Sequence, residues 1–86
     1  MFILNKVCGN HINYDITEPL PTRAEALKAL KEIFEVIRNQ YNPETDKLPP
    51  LLSEEGGYIR YYYDDKMIRI IMKEVADAHK PAITGN

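Results

Sequence analysis

The longest regular pattern of apolar and polar positions runs from Thr22 to Tyr41. Leu27, Leu30, Phe34, Ile37 and Tyr41 recur at spacings of 3, 4, 3 and 4 residues, which places them on one stripe of an α-helix. Ala26, Ala29, Ile33 and Val36 widen that stripe. Lys28, Lys31, Glu32, Glu35 and Arg38 fall mostly on the other face. The start is marked by Thr22-Arg23-Ala24-Glu25, a capping box in which the Thr hydroxyl meets a free backbone N–H. Pro19 and Pro21 keep the entry extended, and Asn42-Pro43 ends the helix, because a residue before proline avoids the α region.

Before the helix the pattern has period two. Phe2–Cys8 is rich in strand formers, and His11–Thr17 alternates, with Ile12, Tyr14 and Ile16 on one face. Gly9-Asn10 between them is a two-residue hairpin signal. With that loop, Val7 faces Ile12, Asn5 faces Tyr14 and Ile3 faces Ile16. The expected core face then holds Ile3, Val7, Ile12, Tyr14 and Ile16. Phe2, Leu4, Lys6 and Cys8 fall on the opposite side.

After the helix, residues 42–57 contain Pro43, Pro49, Pro50, Gly56 and Gly57 and read as a long loop. Loops of this length are usually functional or mobile. Leu48-Pro49-Pro50-Leu51-Leu52 within it is apolar and extended, suited either to capping the core or to docking. Residues 58–75 form a second hairpin about Asp64-Asp65, aromatic and β-branched on both arms. In that register Tyr61 faces Ile68, Ile59 faces Ile70, and Met72 extends the same side. Tyr58, Arg60, Tyr62, Met67, Arg69, Ile71 and Lys73 occupy the other side. A slip of one residue would exchange the two sides. Ala76–Lys80 could add a helical turn, Pro81 would stop it, and residues 81–86 read as a frayed tail.

The pattern therefore predicts one small α+β domain spanning residues 1–86. Two antiparallel hairpins form one sheet, and a single helix packs on one face, in the order ββαββ. The second face, expected to hold Tyr58, Tyr62, Met67, Ile71, Phe2 and Leu4, is too apolar to sit comfortably in water. Either a partner or the long loop should cover it.

Composition narrows the function classes. A net charge of −2 argues against broad nucleic-acid or anionic-membrane binding, although a local basic patch remains compatible with it. No apolar run reaches the ~18 residues of a membrane span. One cysteine excludes an internal disulfide framework and suits a reducing, cytoplasmic setting. Cys8 and His11, flanking the first turn, could act as a thiolate and its base or supply two metal ligands. They lack a second Cys pair, so a structural thiol is the expectation, with no metal and no cofactor. Asp64 and Asp65 point to different sides and do not converge as an acid–base pair. No phosphate-binding Gly loop, metalloprotease helix or nucleophile elbow is present.

Arg60 and Arg69 are the most informative pair. They fall directly opposite each other, where like charges destabilise a sheet. Either Asp15, Glu74 or the acidic loop neutralises them, or an anionic group binds over them. Tyr and Arg are enriched at binding hot spots and in single-strand nucleic-acid platforms. The expected binding residues are Tyr58, Arg60, Tyr62, Met67, Arg69 and Lys73. Small, mildly acidic chains without catalytic motifs include inhibitors and regulators of phage and mobile-element type. The expectation is a non-enzymatic module that binds a protein partner or a second copy of itself through the outer sheet face and the 42–57 loop. The alternative is a binder of an anionic small ligand or nucleic acid through the same Tyr/Arg hairpin.

Overall fold

The computed structural model describes residues 1–9, 12–46 and 48–75. Its elements are β1 (Phe2–Cys8), β2 (Ile12–Asp15), α1 (Arg23–Gln40), β3 (Leu51–Ser53), β4 (Tyr58–Tyr63) and β5 (Lys66–Glu74). The strands form one antiparallel sheet in the order β2-β1-β5-β4-β3, so the described residues make an α+β fold with five strands and one helix. The expected ββαββ order is corrected to ββαβββ. The addition is β3, inside the stretch read as a continuous loop over 42–57. Leu51-Leu52-Ser53 pairs with Arg60, Ile59 and Tyr58. Pro49 and Pro50 hid it, since proline cannot donate to a ladder, but an edge strand entered from a proline has no such demand on its free side.

Helix α1 begins as its capping box dictates. The Glu25 amide donates to Thr22 Oγ1 at 3.1 Å, and the Thr22 hydroxyl donates to the Glu25 carboxylate at 3.3 Å. Arg38 lies in the last turn, where a cation complements the helix dipole, and it pairs with Glu35 at 2.6 Å. Beyond the C-terminus, Asn42 organises a turn. Its side chain accepts from the Glu44 amide at 2.9 Å, and its own amide donates to the Asp46 carboxylate at 2.6 Å. Ala26 and Leu30 are fully buried, whereas Val36, assigned to the widened stripe, is 56% exposed.

The core is formed by Leu4, Leu30, Ile59 and Ile70, with Ile16, Leu27, Phe34, Ile37, Leu52, Tyr61 and Met72 packed around it. The first hairpin differs from expectation by one residue. Asn5 pairs with Asp15, Lys6 with Tyr14, Val7 with Asn13 and Cys8 with Ile12. Strand β2 keeps its expected sides, but those of β1 are exchanged. Leu4 is fully buried beneath the helix, and Ile3 and Val7 lie on the outer face. Because paired residues share a face, one residue of slip has this effect along the whole strand. The connection spans residues 9–11, one residue longer than the Gly9-Asn10 signal implied; Asn10 and His11 lie outside the described residues, as does the tail from residue 76.

The second hairpin has the expected register, from Tyr58↔Ile71 to Tyr63↔Lys66. Asp64 and Asp65 both adopt positive φ, 55° and 62°, as a two-residue turn matched to strand twist requires. Gly57 has φ 71°, and its amide closes the β3–β4 turn on the Ser53 carbonyl at 2.8 Å. A Cβ at Gly57 would sit 3.3 Å from Met72 Cβ.

Candidate functional site

The helix covers one face of the sheet, and in β3, β4 and β5 the opposite face is built by strand alternation. Directly paired residues share a side, so Leu51, Arg60, Arg69, Val7 and Asn13 form one row across all five strands. Tyr62 and Met67 form the row next to it, towards the β4–β5 turn. On the other side lies the row Ser53, Tyr58, Ile71, Asn5 and Asp15. Lys73 pairs with Ile3 beyond that. All six residues expected to bind, Tyr58, Arg60, Tyr62, Met67, Arg69 and Lys73, therefore lie on this face. Val7 and Ile3 take the places expected for Phe2 and Leu4.

The two arginines sit inside an uncharged frame. Leu51 flanks Arg60 in the row, and Val7 flanks Arg69. Tyr62 and Met67 lie on one side of the pair, Tyr58 and Ile71 on the other. Tyr58, Arg60, Met67, Arg69 and Ile71 line a shallow depression of about 310 Å³. Met67 in its lining is 41% exposed, and Leu51, paired with Arg60, is 40% exposed. Arg60 is half-buried and Arg69 exposed, so their stems can lie along the apolar floor while the guanidinium heads stay at the surface.

The carboxylates that could neutralise the pair are engaged or turned elsewhere. Asp15 accepts from the Asn5 side chain at 2.8 Å, which satisfies a polar group only 3% exposed. Glu54 lies 3.7 Å from Lys31, and Glu74 pairs with Phe2 on the helix-side register. Among the described residues neither Arg60 nor Arg69 forms an ion pair or a side-chain hydrogen bond.

Leu51 belongs to this face although it lies in the stretch 42–57 expected to be a loop. Leu51-Leu52-Ser53 is too short to show a period of two, and it becomes a strand by pairing with Arg60, Ile59 and Tyr58. Leu52 turns to the core and Leu51 to the outer face. Leu48 does not join the face. It lies at the far end of the helix in a hollow with Tyr41, Pro50, Tyr61, Tyr62 and Tyr63, so Tyr62 of the outer row also borders this hollow.

On the helix side, Cys8 is a free, half-buried thiol beside Ile12 in register. His11, its proposed partner, lies outside the described residues. Among the described residues no group of three or more His, Cys, Asp or Glu is arranged to hold a metal ion. Nearby, the Lys6 ammonium interacts with the phenols of Tyr14 and Tyr61. Burial pulls the Lys6 pKa down, but the two phenols outweigh it and the net direction is upward. Burial pushes the Tyr61 phenol up, with Lys6 opposing. Lys6 is thereby held more firmly as a cation, the opposite of what a lysine nucleophile needs. Among the described residues no helix is long and apolar enough to cross a membrane.

No protein-family model, no curated protein and no solved structure matches the chain.

Proposed function

We propose that the protein is a non-catalytic binding module whose outer sheet face docks onto a protein partner. The observation that carries this reading is the pair Arg60–Arg69, directly opposed across β4 and β5 and framed by Leu51, Val7, Tyr58, Tyr62, Met67 and Ile71. A sheet with one covered face usually makes its other face polar. Here the uncovered face combines aromatic and apolar surface with guanidinium groups, the composition of binding hot spots. A module of this kind acts by occupying its partner's surface, as inhibitors and regulators do. Leu51 brings the segment after the helix into the same surface, so the face and part of the 42–57 stretch act together.

The test is affinity capture from the native host with wild type and the double variant Leu51→Ser/Met67→Ser. Both side chains are substantially exposed, so the variant is expected to fold. A partner specific to this face is captured by wild type and by Val36→Ser, an exposed helix control, but not by the double variant. Equal capture by all three refutes the reading. A second reading, an anionic small ligand or nucleic acid on the same hairpin, rests on the same guanidinium pair. A phosphate-rich partner loses affinity log-linearly as salt rises, which separates it from a mainly apolar protein interface.

A further inference from the structure

We infer that the partner surface is acidic: the Arg60–Arg69 pair receives a carboxylate from an Asp or Glu side chain whose apolar neighbours settle on Leu51, Tyr58, Met67 and Ile71. This rests on the proposed role of the outer face and states the chemistry of what it binds.

Over β3, β4 and β5 the outward positions include Arg60, Arg69 and Lys73 and no carboxylate. The whole chain carries −2, so a cationic face on an acidic protein is a local feature and not a consequence of composition. Arg60 and Arg69 are directly opposed in register, so both guanidinium groups can reach one acceptor between them, and a carboxylate is the compact acceptor that satisfies both with charge-assisted bonds.

Three occupants compete, and the same residues decide among them. A second copy docked by a two-fold axis through this face would bring Arg60 and Arg69 against their own counterparts, four cations at one centre. Such a dimer is disfavoured. A nucleic-acid strand needs a longer cationic track than three residues supply, and the rest of an acidic chain repels it. The frame around the pair is apolar and aliphatic as much as aromatic, and Leu51, Val7 and Ile71 offer no stacking plane. An acidic side chain flanked by apolar ones matches both the centre and the frame.

The experiment selects from a random peptide library displayed on phage, panned against the full chain, with binding of the enriched peptides measured by fluorescence anisotropy. The expected peptides carry Asp or Glu next to large apolar residues. Arg60→Gln/Arg69→Gln is expected to weaken them by at least about tenfold, the scale of a lost charge-assisted hydrogen bond. Replacing the peptide carboxylate by its amide is expected to cost a similar factor. It should cost little more in the double Gln variant, which shows that the two groups meet. Thermal denaturation checks that the Gln variant is folded.

Enriched peptides without carboxylates, no enrichment, or unchanged binding by the folded Gln variant each overturn the inference. So does a stable dimer whose interface contains Arg60, or tight, steeply salt-dependent binding of an oligothymidylate. If Leu51→Ser/Met67→Ser loses the host partner while the Gln variant keeps it, the binding face stands and the acidic partner falls.

Discussion

Replacing Arg60 by Thr separates binding from stability at this face. In the folded protein Arg60 stands opposite Arg69. Opposed Cβ atoms lie roughly 5 Å apart, and long side chains can spread their charges to about 7 Å. At that distance the repulsion is about 0.6 kcal/mol in water-like dielectric and about twice that where apolar neighbours lower the dielectric to half. Removing it, together with the better strand propensity of Thr, favours the variant. Against this stands the loss of the arginine stem from the floor formed by Tyr58 and Met67, worth a few tenths of a kcal/mol for a surface substitution. The net expectation lies between no change and about 1 kcal/mol of stabilisation. The assay is urea denaturation at low and high salt. Salt shortens the screening length from about 10 Å at 0.1 M to about 3 Å at 1 M. Any gain should therefore shrink as salt rises. A loss of more than about 1.5 kcal/mol, independent of salt, would falsify the reasoning, because it would mean that Arg60 is held by a partner within the fold.

Other perturbations probe the rest of the molecule. Leu30→Ala, in a side chain fully buried against Leu4, Ile59 and Ile70, should cost about 2–5 kcal/mol in denaturation midpoint, and an unchanged midpoint would remove the helix stripe from the core. Gly57→Ala forces a Cβ onto a residue at φ 71° and towards Met72, so calorimetry should show a destabilisation above about 1 kcal/mol. The folded-state pKa of Tyr61 and of Lys6 is raised, so folding binds protons at alkaline pH. The stability they contribute is present below about pH 10 and is lost as pH rises through the folded values. Wild type should therefore lose more stability than Tyr61→Phe between about pH 8 and about pH 11, and parallel losses would count against that linkage. Cys8→Ser should leave peptide binding by the outer face unchanged, since Cys8 lies on the helix-side register; loss of binding in a folded variant would bring the thiol back into the function.

Where the chain carries its own local signal, sequence and structure agree. The capping box at Thr22 and Glu25, the stripe through Leu30 and Phe34, and the stop at Asn42-Pro43 all act within a few residues of where they stand. The second hairpin was legible for the same reason. A two-residue turn at Asp64-Asp65 sets the register, and with it the side on which Tyr58, Arg60, Tyr62, Met67, Arg69 and Lys73 lie. Those six residues were thus readable as one face from the turn and the alternation alone.

Strand β1 carried no such signal. Phe2, Ile3 and Leu4 are all apolar, so alternation could not say which of them faces inward, and Gly9-Asn10 suggested a loop one residue too short. Pairing with β5 decided it. With Leu4 against Met72 and Lys6 against Ile70, the helix-side face of β1 continues that of β5. The strand order is a long-range choice, joining residues 60 to 72 positions apart, and no local propensity encodes it. Strand β3 is similar, because Leu51–Ser53 is too short to declare itself and becomes a strand through its ladder with β4. By itself, then, the sequence determined the helix, the second hairpin and the residues that share its outer side, because caps, turns and periodicity are local forces. Only the tertiary structure decided that Leu51 and Val7 close an uncharged frame around Arg60 and Arg69, because that frame exists only when β3 and β1 dock against the two edges of the hairpin.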